Sequence, residues 1–350
     1  MAFEQARRAD ELLRLLEKYA PRLSLALREA WEQGRLSVAL DRLEELLKAE
    51  RVTEAVDLVL KGADPVFVSK SEDALRQVFL ASAQWAWNKD KPPMPQTRVL
   101  RTLFDQLNPK TIEAMRQNEL RMVQQVRQET KAGLKKLMEG ALTDGINPRE
   151  IARRIREEPG FGLTESQEAT VQRYKAYLRK VHEKRSLKEL GIGMERSLSV
   201  DEFGRPIDGI NRWRLRDMRY DQMLERAQRN NKPLTETQIE KMATAYRRRF
   251  IKLRSENIAR TEMTAAGANG SREAWRQMVE SGLYPDGIRR FWFTAAQDRV
   301  CPRCKPMPRL NKEGRGLDEP FMDGNGNPVD FAPLHPGCRC VIYPRPVKRR

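Results

Sequence analysis

The residues best equipped for chemistry lie between Phe291 and Pro344, a stretch that holds all four cysteines and one of the two histidines of the 350-residue chain. Cys301 and Cys304 form a Cys-x-x-Cys turn, Cys338 and Cys340 form a Cys-x-Cys pair, and His335 stands just ahead of that pair in His335-Pro336-Gly337-Cys338-Arg339-Cys340. Two thiolates so spaced can point into one concave turn. Two such half-sites can close a tetrahedron around a zinc ion, which takes sulfur and imidazole nitrogen. Between them, Lys305 to Leu334 is rich in Gly, Pro and Asn and poor in large apolar residues. Such a loop cannot fold as a core of its own, so a crosslink at its base would remove the entropy it otherwise keeps. A structural metal of this kind supplies on the order of 10 kcal/mol of apparent folding free energy in small modules.

Two disulfides and four unliganded thiols are the competing readings. The opening Met-Ala-Phe-Glu-Gln-Ala-Arg-Arg lacks the apolar core of a signal peptide, and the rest of the chain is free of cysteine. Both features point to folding in a reducing compartment, which disfavours disulfides. Five donors compete for four places. The expected ligands are Cys301, Cys304, Cys338 and Cys340, with His335 as a substitute for Cys338 or as a group behind the ligands. A catalytic cysteine is not expected, because the other histidine, His182, lies in a charged helical segment and no Cys-His-Asn set is marked.

The order Arg260-Thr261-Glu262, Trp275, Phe291-Trp292-Phe293-Thr294, Asp298, Cys301-x-x-Cys304 and His335-Pro336-x-Cys338-Arg339-Cys340 resembles the phage Mu F-like minor head proteins, the head morphogenesis proteins of tailed bacteriophages. The resemblance covers about the last hundred residues and, more loosely, the helical region around Phe104 to Ile155. It implies a minor capsid component that associates with the portal protein or the major capsid protein during prohead assembly. It further implies a place in the virion, at the capsid interior or portal vertex, and contact with double-stranded DNA. An enzyme carried in the virion is the alternative, with Arg260, Glu262, Asp298 and the thiols as an ADP-ribosyltransferase-like or nuclease-like site. Carboxylates and bases at such spacing are common in any charged chain, so no catalytic residue is assigned.

Composition bounds the remaining choices. The chain carries 66 Lys+Arg against 49 Asp+Glu, a net charge of +17, so an anionic partner is expected. A hydrophobic fraction of 39% with 33% charged residues suits long solvated helices better than a compact α/β enzyme. No run of about 18 apolar residues occurs, so no membrane partner is expected. Cations gather around aromatic rings in two places: Arg212, Arg214, Arg216 and Arg219 beside Trp213 and Tyr220, then Arg247, Arg248, Arg249, Lys252 and Arg254. Such clusters could hold backbone phosphates without reading sequence.

The elements that must position these residues are mostly helical. The expected fold is mostly α, with a helical region at 1–95, a helical hairpin region at 96–170, a helical and loop arm or insertion at 171–245, and an α+β terminal domain at 246–350. That last domain would hold a short antiparallel sheet, Ile288 to Thr294 against Val341-Ile342-Tyr343, beside the cysteine-rich metal site. Leucine spacing through residues 1–60 predicts short antiparallel helices broken near Tyr19-Ala20-Pro21 and Gly34, and Ala63-Asp64-Pro65 predicts a turn. Asn108-Pro109 and Asn147-Pro148 read as N-caps followed by proline at the first helical position, the second with Glu150 placed to close a capping box. Thr164-x-x-Gln167 and Thr235-x-x-Gln238 repeat a capping box, and Ala265-Ala266-Gly267-Ala268 offers small residues for a close neighbour.

Overall fold

The computed structural model describes residues 2–92, 104–157, 162–183, 215–294, 300–336 and 338–347, with only the helical course given at 2–6, 64–68 and 119–120. Arg212, Trp213, Arg214 and Asp298 lie outside the described residues. Eight helices of nine residues or more occur among the described residues: α1 (Ala2–Leu36), α2 (Leu40–Lys48), α3 (Val52–Asp90), α4 (Pro109–Thr143), α5 (Pro148–Glu157), α6 (Glu165–Arg179), α7 (Asp221–Arg229) and α8 (Glu236–Glu280). After them come β1 (Ile288–Phe293), a short α9 (Met307–Leu310), β2 (Phe321–Met322), β3 (Pro328–Val329) and β4 (Val341–Pro346). The protein is thus mostly helical with a small α+β region at its carboxy-terminal end, as the sequence led us to expect. No described helix is long and apolar enough to cross a membrane.

Two expected breaks are absent. Helix α1 continues through Pro21, and α3 continues through Pro65. Proline in a helix interior removes one hydrogen bond and crowds the preceding turn, at a cost of about 3 kcal/mol. Leu12, Leu16, Leu23 and Leu27 are buried along α1, on both sides of an exposed Pro21. At roughly 1.5–3 kcal/mol for each buried leucine, that stripe outweighs the proline. Both asparagine caps form: Asn108 and Asn147 each accept a backbone N–H two residues on, at 2.9 Å. Glu150 instead pairs with Arg153 at 2.8 Å and Arg154 at 2.7 Å.

The chain divides into two compact units, each assembled from separate stretches. One takes residues 26–69 and 123–255, the other 1–25, 70–122 and 256–350. In the first unit, both Thr-x-x-Gln boxes form as expected, Thr164 with Gln167 and Thr235 with Gln238. They start α6 and α8, whose Tyr174 and Tyr246 rings pack at 4.6 Å within a core shared with Leu178, Leu224 and Met242.

The second unit carries the cysteines. Its portion of α8 lies against α3 and α1 at Gly267 and Gly270, where a Cβ would overlap Leu16 and the Phe79 carbonyl, so the expected close approach is present. Asn269 donates to Asn118 at 3.0 Å, and Trp275 donates its indole N–H to Asp90 at 2.8 Å. Beyond α8, β1 pairs antiparallel with β4, Ile288 opposite Pro346 and Phe293 opposite Val341, and β2 pairs with β3. The inner face of the larger sheet, Ile288, Trp292 and Ile342, joins Trp87, Trp275 and the cysteines in one core.

Candidate metal centre

The sheet register places the cysteines. Cys340 immediately precedes β4, whose first residue faces the last residue of β1, so the two ends of the loop meet where the sheet ends. The Cys301-to-Lys305 segment is a tight turn, with Cys304 and Lys305 both donating their N–H to the Cys301 carbonyl at 3.1 and 3.0 Å. The Cys304 N–H also lies 3.4 Å from the Cys301 sulfur, and the Cys340 N–H lies 3.4 Å from the Cys338 sulfur. Backbone donors aimed at sulfur favour the thiolate, the form that binds metal.

All five candidates converge. The donor atoms of Cys301, Cys304 and His335 lie within 4.8 Å of one another, as do those of Cys304, Cys338 and Cys340. His335 Nε2 is 2.9 Å from the Cys301 sulfur and 3.2 Å from that of Cys304, and the Cys304 and Cys338 sulfurs are 3.6 Å apart. Sulfurs at about 2.3 Å from a tetrahedral zinc would sit about 3.8 Å from each other, so this last spacing is close to a ligand edge. All four cysteines are free thiols, which excludes the disulfide reading for this conformation. Cys304, Cys338 and Cys340 are buried, whereas Cys301 and His335 are half-buried. His335 Nδ1 is 3.0 Å from the Pro336 carbonyl, a contact that holds the proton on Nδ1 and leaves the Nε2 lone pair facing the sulfurs.

Crowding three thiols under apolar cover constrains their charge. Hydrogen bonds from Cys304 and Cys340 draw the Cys338 thiol well below its usual value, and the same bond to Cys338 pushes Cys304 far up. A divalent cation would let them ionise together. A hydrogen bond from Cys304 lowers the Cys340 thiol, but its bond to Cys338 and its burial outweigh that and hold it above its usual value, while the nearby Trp292 indole N–H is buried with no hydrogen-bond partner. These donors could hold a metal ion, and the orphaned indole fits a thiolate better than a thiol.

One residue essential to this geometry has no motif. Arg290 on β1 is 1% exposed and lies 5.0 Å over the Phe321 ring. Its guanidinium donates to the carbonyls of Gly316 at 2.9 Å, Asp330 at 2.7 Å and Glu319. It therefore grips the loop from inside. Only its place on a strand that alternates inward and outward could have pointed to it. Asn311, also buried, ties Met307 to Met322 across the same loop.

The expected phosphate-binding residues are dispersed in role. Arg247 is buried between Glu168 at 3.2 Å and Glu240 at 3.1 Å, and Arg254 is buried against Glu129 at 3.0 Å and the Gly162 carbonyl. These two are corrected to internal ion pairs, since neither side chain reaches solvent. Arg216 pairs with Asp221 at 2.9 Å, and Arg249 is held by Asp217 and the Arg216 carbonyl. Arg219, Arg248 and Lys252 remain exposed, Arg219 with Asp217 at 2.6 Å. Glu262 is buried with Arg121 at 3.3 Å, and Arg260 lines a small cleft with Cys338 and Arg339. No family model, curated protein or solved structure matches this chain.

Proposed function

We propose that this chain is a minor capsid or head morphogenesis protein of a tailed bacteriophage, whose carboxy-terminal region is stapled by a structural zinc ion. The observation that carries the reading is the convergence of Cys301, Cys304, His335, Cys338 and Cys340 at the base of the 305–334 loop. These are the residues on which the resemblance to the Mu F-like minor head proteins rests. Cys304, Cys338 and Cys340 form the buried part of the site, and Cys301 or His335 completes four ligands from its rim. A sulfur-rich tetrahedral set suits zinc better than magnesium or calcium, which prefer oxygen. The ion would supply crosslinking, with all four positions filled by protein and none open to substrate.

The expected partner is the portal or major capsid protein, and the net charge of +17 supports a place beside packaged double-stranded DNA. Arg219, Arg248 and Lys252 are the described residues of the basic clusters with charge to offer phosphates. The test is elemental analysis of purified protein with capture of the portal protein. One zinc per chain, lost with the fold in Cys301→Ser/Cys304→Ser, supports the staple; metal-free protein that folds normally refutes it. Zinc without portal or capsid capture refutes the assembly role and leaves the staple standing.

A further inference from the structure

The outer face of the β1·β4 sheet has a composition unlike the rest of the second unit. Alternation along the strands turns Ile288, Arg290, Trp292 and Ile342 inward and leaves Arg289, Phe291 and Phe293 on the other face beside Tyr343, Arg345 and, at its covered end, the buried Val341. The three rings are half-buried and both arginines are exposed. Phe291 and Tyr343, directly opposite in the register, lie nearly parallel at 18° with centroids 5.6 Å apart, and Phe293 stands edge-on to Tyr343 at 6.2 Å. The Arg345 guanidinium spreads over both parallel rings, 4.7 Å from Phe291 and 5.2 Å from Tyr343, and reaches the Tyr343 hydroxyl at 3.1 Å.

Neither arginine is paired with a carboxylate among the described residues. Arg289 donates to the backbone carbonyls of Glu313 and Gly314 at 2.9 and 3.2 Å, while the Glu313 carboxylate sits 4.0 Å from Lys312. The face therefore offers two uncompensated guanidinium groups, one already flattened onto aromatic rings. A partner strand is a poor fit beside it. Because Val347 bonds to Gly287 and Arg290 bonds away from β4 to Arg315, the backbone of Ile342, Pro344 and Pro346 faces outward from the sheet. Two of those three positions are proline, so only Ile342 has an N–H to donate at that edge, which blunts it against strand addition.

The geometry points to a stacking platform for single-stranded nucleic acid on this face. Unpaired bases stack on aromatic rings and on guanidinium planes, and arginines then meet the phosphates between them, without reading sequence. A base on the Arg345 plane would extend the ring–guanidinium stack by one layer, with Arg289 across the register to take phosphate. An acidic peptide would meet the same charge but gains nothing from the planar arrangement. This inference does not rest on the duplex contact proposed above, which uses Arg219, Arg248 and Lys252.

The test is fluorescence anisotropy of full-length, metal-loaded protein with labelled short oligothymidylate, oligouridylate and a mixed-sequence duplex. Binding of either single strand supports the face, and the stronger of the two shows which strand it prefers; absence of both overturns it. Tyr343→Leu should weaken the single-strand complex at least about fivefold, the low end of losing one stacked base. Arg345→Lys keeps the charge, leaves the sheet intact and removes the plane, so it should weaken single-strand binding while leaving the duplex unchanged. Wild-type affinity in Arg345→Lys overturns the proposal, as does displacement by polyglutamate equal to that by oligothymidylate at matched charge. Arg248→Gln/Lys252→Gln should weaken the duplex alone, so failure of the duplex reading shows in a different arm.

Discussion

Replacing Arg290 by Met would test whether the cysteine-bearing loop is held by its own backbone carbonyls as well as by its sulfurs. Methionine keeps an unbranched stem against Phe321 and removes the donors to Gly316, Glu319 and Asp330. A hydrogen bond with a charged partner is worth about 1.5–3 kcal/mol net, so three amount to about 4.5–9 kcal/mol. Against this stands the cost of burying the charge, which brings Arg290 down from its ordinary value to about 10. At about 1.4 kcal/mol for each pH unit, that cost is roughly 3–4 kcal/mol. The difference centres on about 3 kcal/mol, lost mainly from the loop. Hydrogen exchange of the 305–334 amides in metal-loaded protein is the direct assay, and opening should become roughly a hundredfold more frequent. Protection within a factor of two of the parent would refute the argument and mean that the carbonyls are equally well satisfied by water.

Three further outcomes follow from single contacts. Gly270→Ala should destabilise by about 1–3 kcal/mol because its Cβ would meet the Phe79 backbone, whereas Gly140→Ala, which meets nothing within 4 Å, should stabilise by about 0.5–1 kcal/mol; thermal melts decide both. Pro21→Ala should raise the melting temperature, since Pro21 is exposed in an unbroken helix, and a fall would show that the proline shapes a needed bend. Burial raises the Glu240 carboxyl, but Lys175, Arg247 and Arg154 outweigh it and hold it below its usual 4.5. A carboxylate depressed in the folded state adds stability above the unfolded value that is lost as pH falls through the folded one, so Glu240→Gln should flatten the decline in melting temperature below about pH 4.5.

What could be read from the sequence depended on how local its cause was. The Thr164 and Thr235 boxes need only a side chain and an amide three residues away, and both formed. The cysteines were legible because thiols are rare in this chain and chemically distinct. Pro21 and Pro65 misled because a local penalty of a few kcal/mol is set against burial along whole helices, which the local pattern does not weigh. Arg247 and Arg254 looked like surface cations because Glu168 and Glu129, which help to bury them, stand 79 and 125 residues away, and Glu240, seven residues before Arg247, was not read as its partner. Arg290 was invisible for a stronger reason. Its partners are carbonyl oxygens 26, 29 and 40 residues onward, and every residue has one.

The same distinction bears on Arg260, which the sequence offered as part of a possible reaction centre. Three thiolates and one imidazole around a divalent cation carry one net negative charge, and four thiolates carry two. Such a charge under apolar cover needs cations nearby, just as an unpaired buried carboxylate would. Arg260 and Arg339 line the cleft that Cys338 also lines, and no carboxylate but Glu17 shares it. Glu262, the other half of the supposed centre, is already buried against Arg121. An arginine lining the Cys338 cleft and a glutamate against a different arginine are placed for charge compensation at two separate sites.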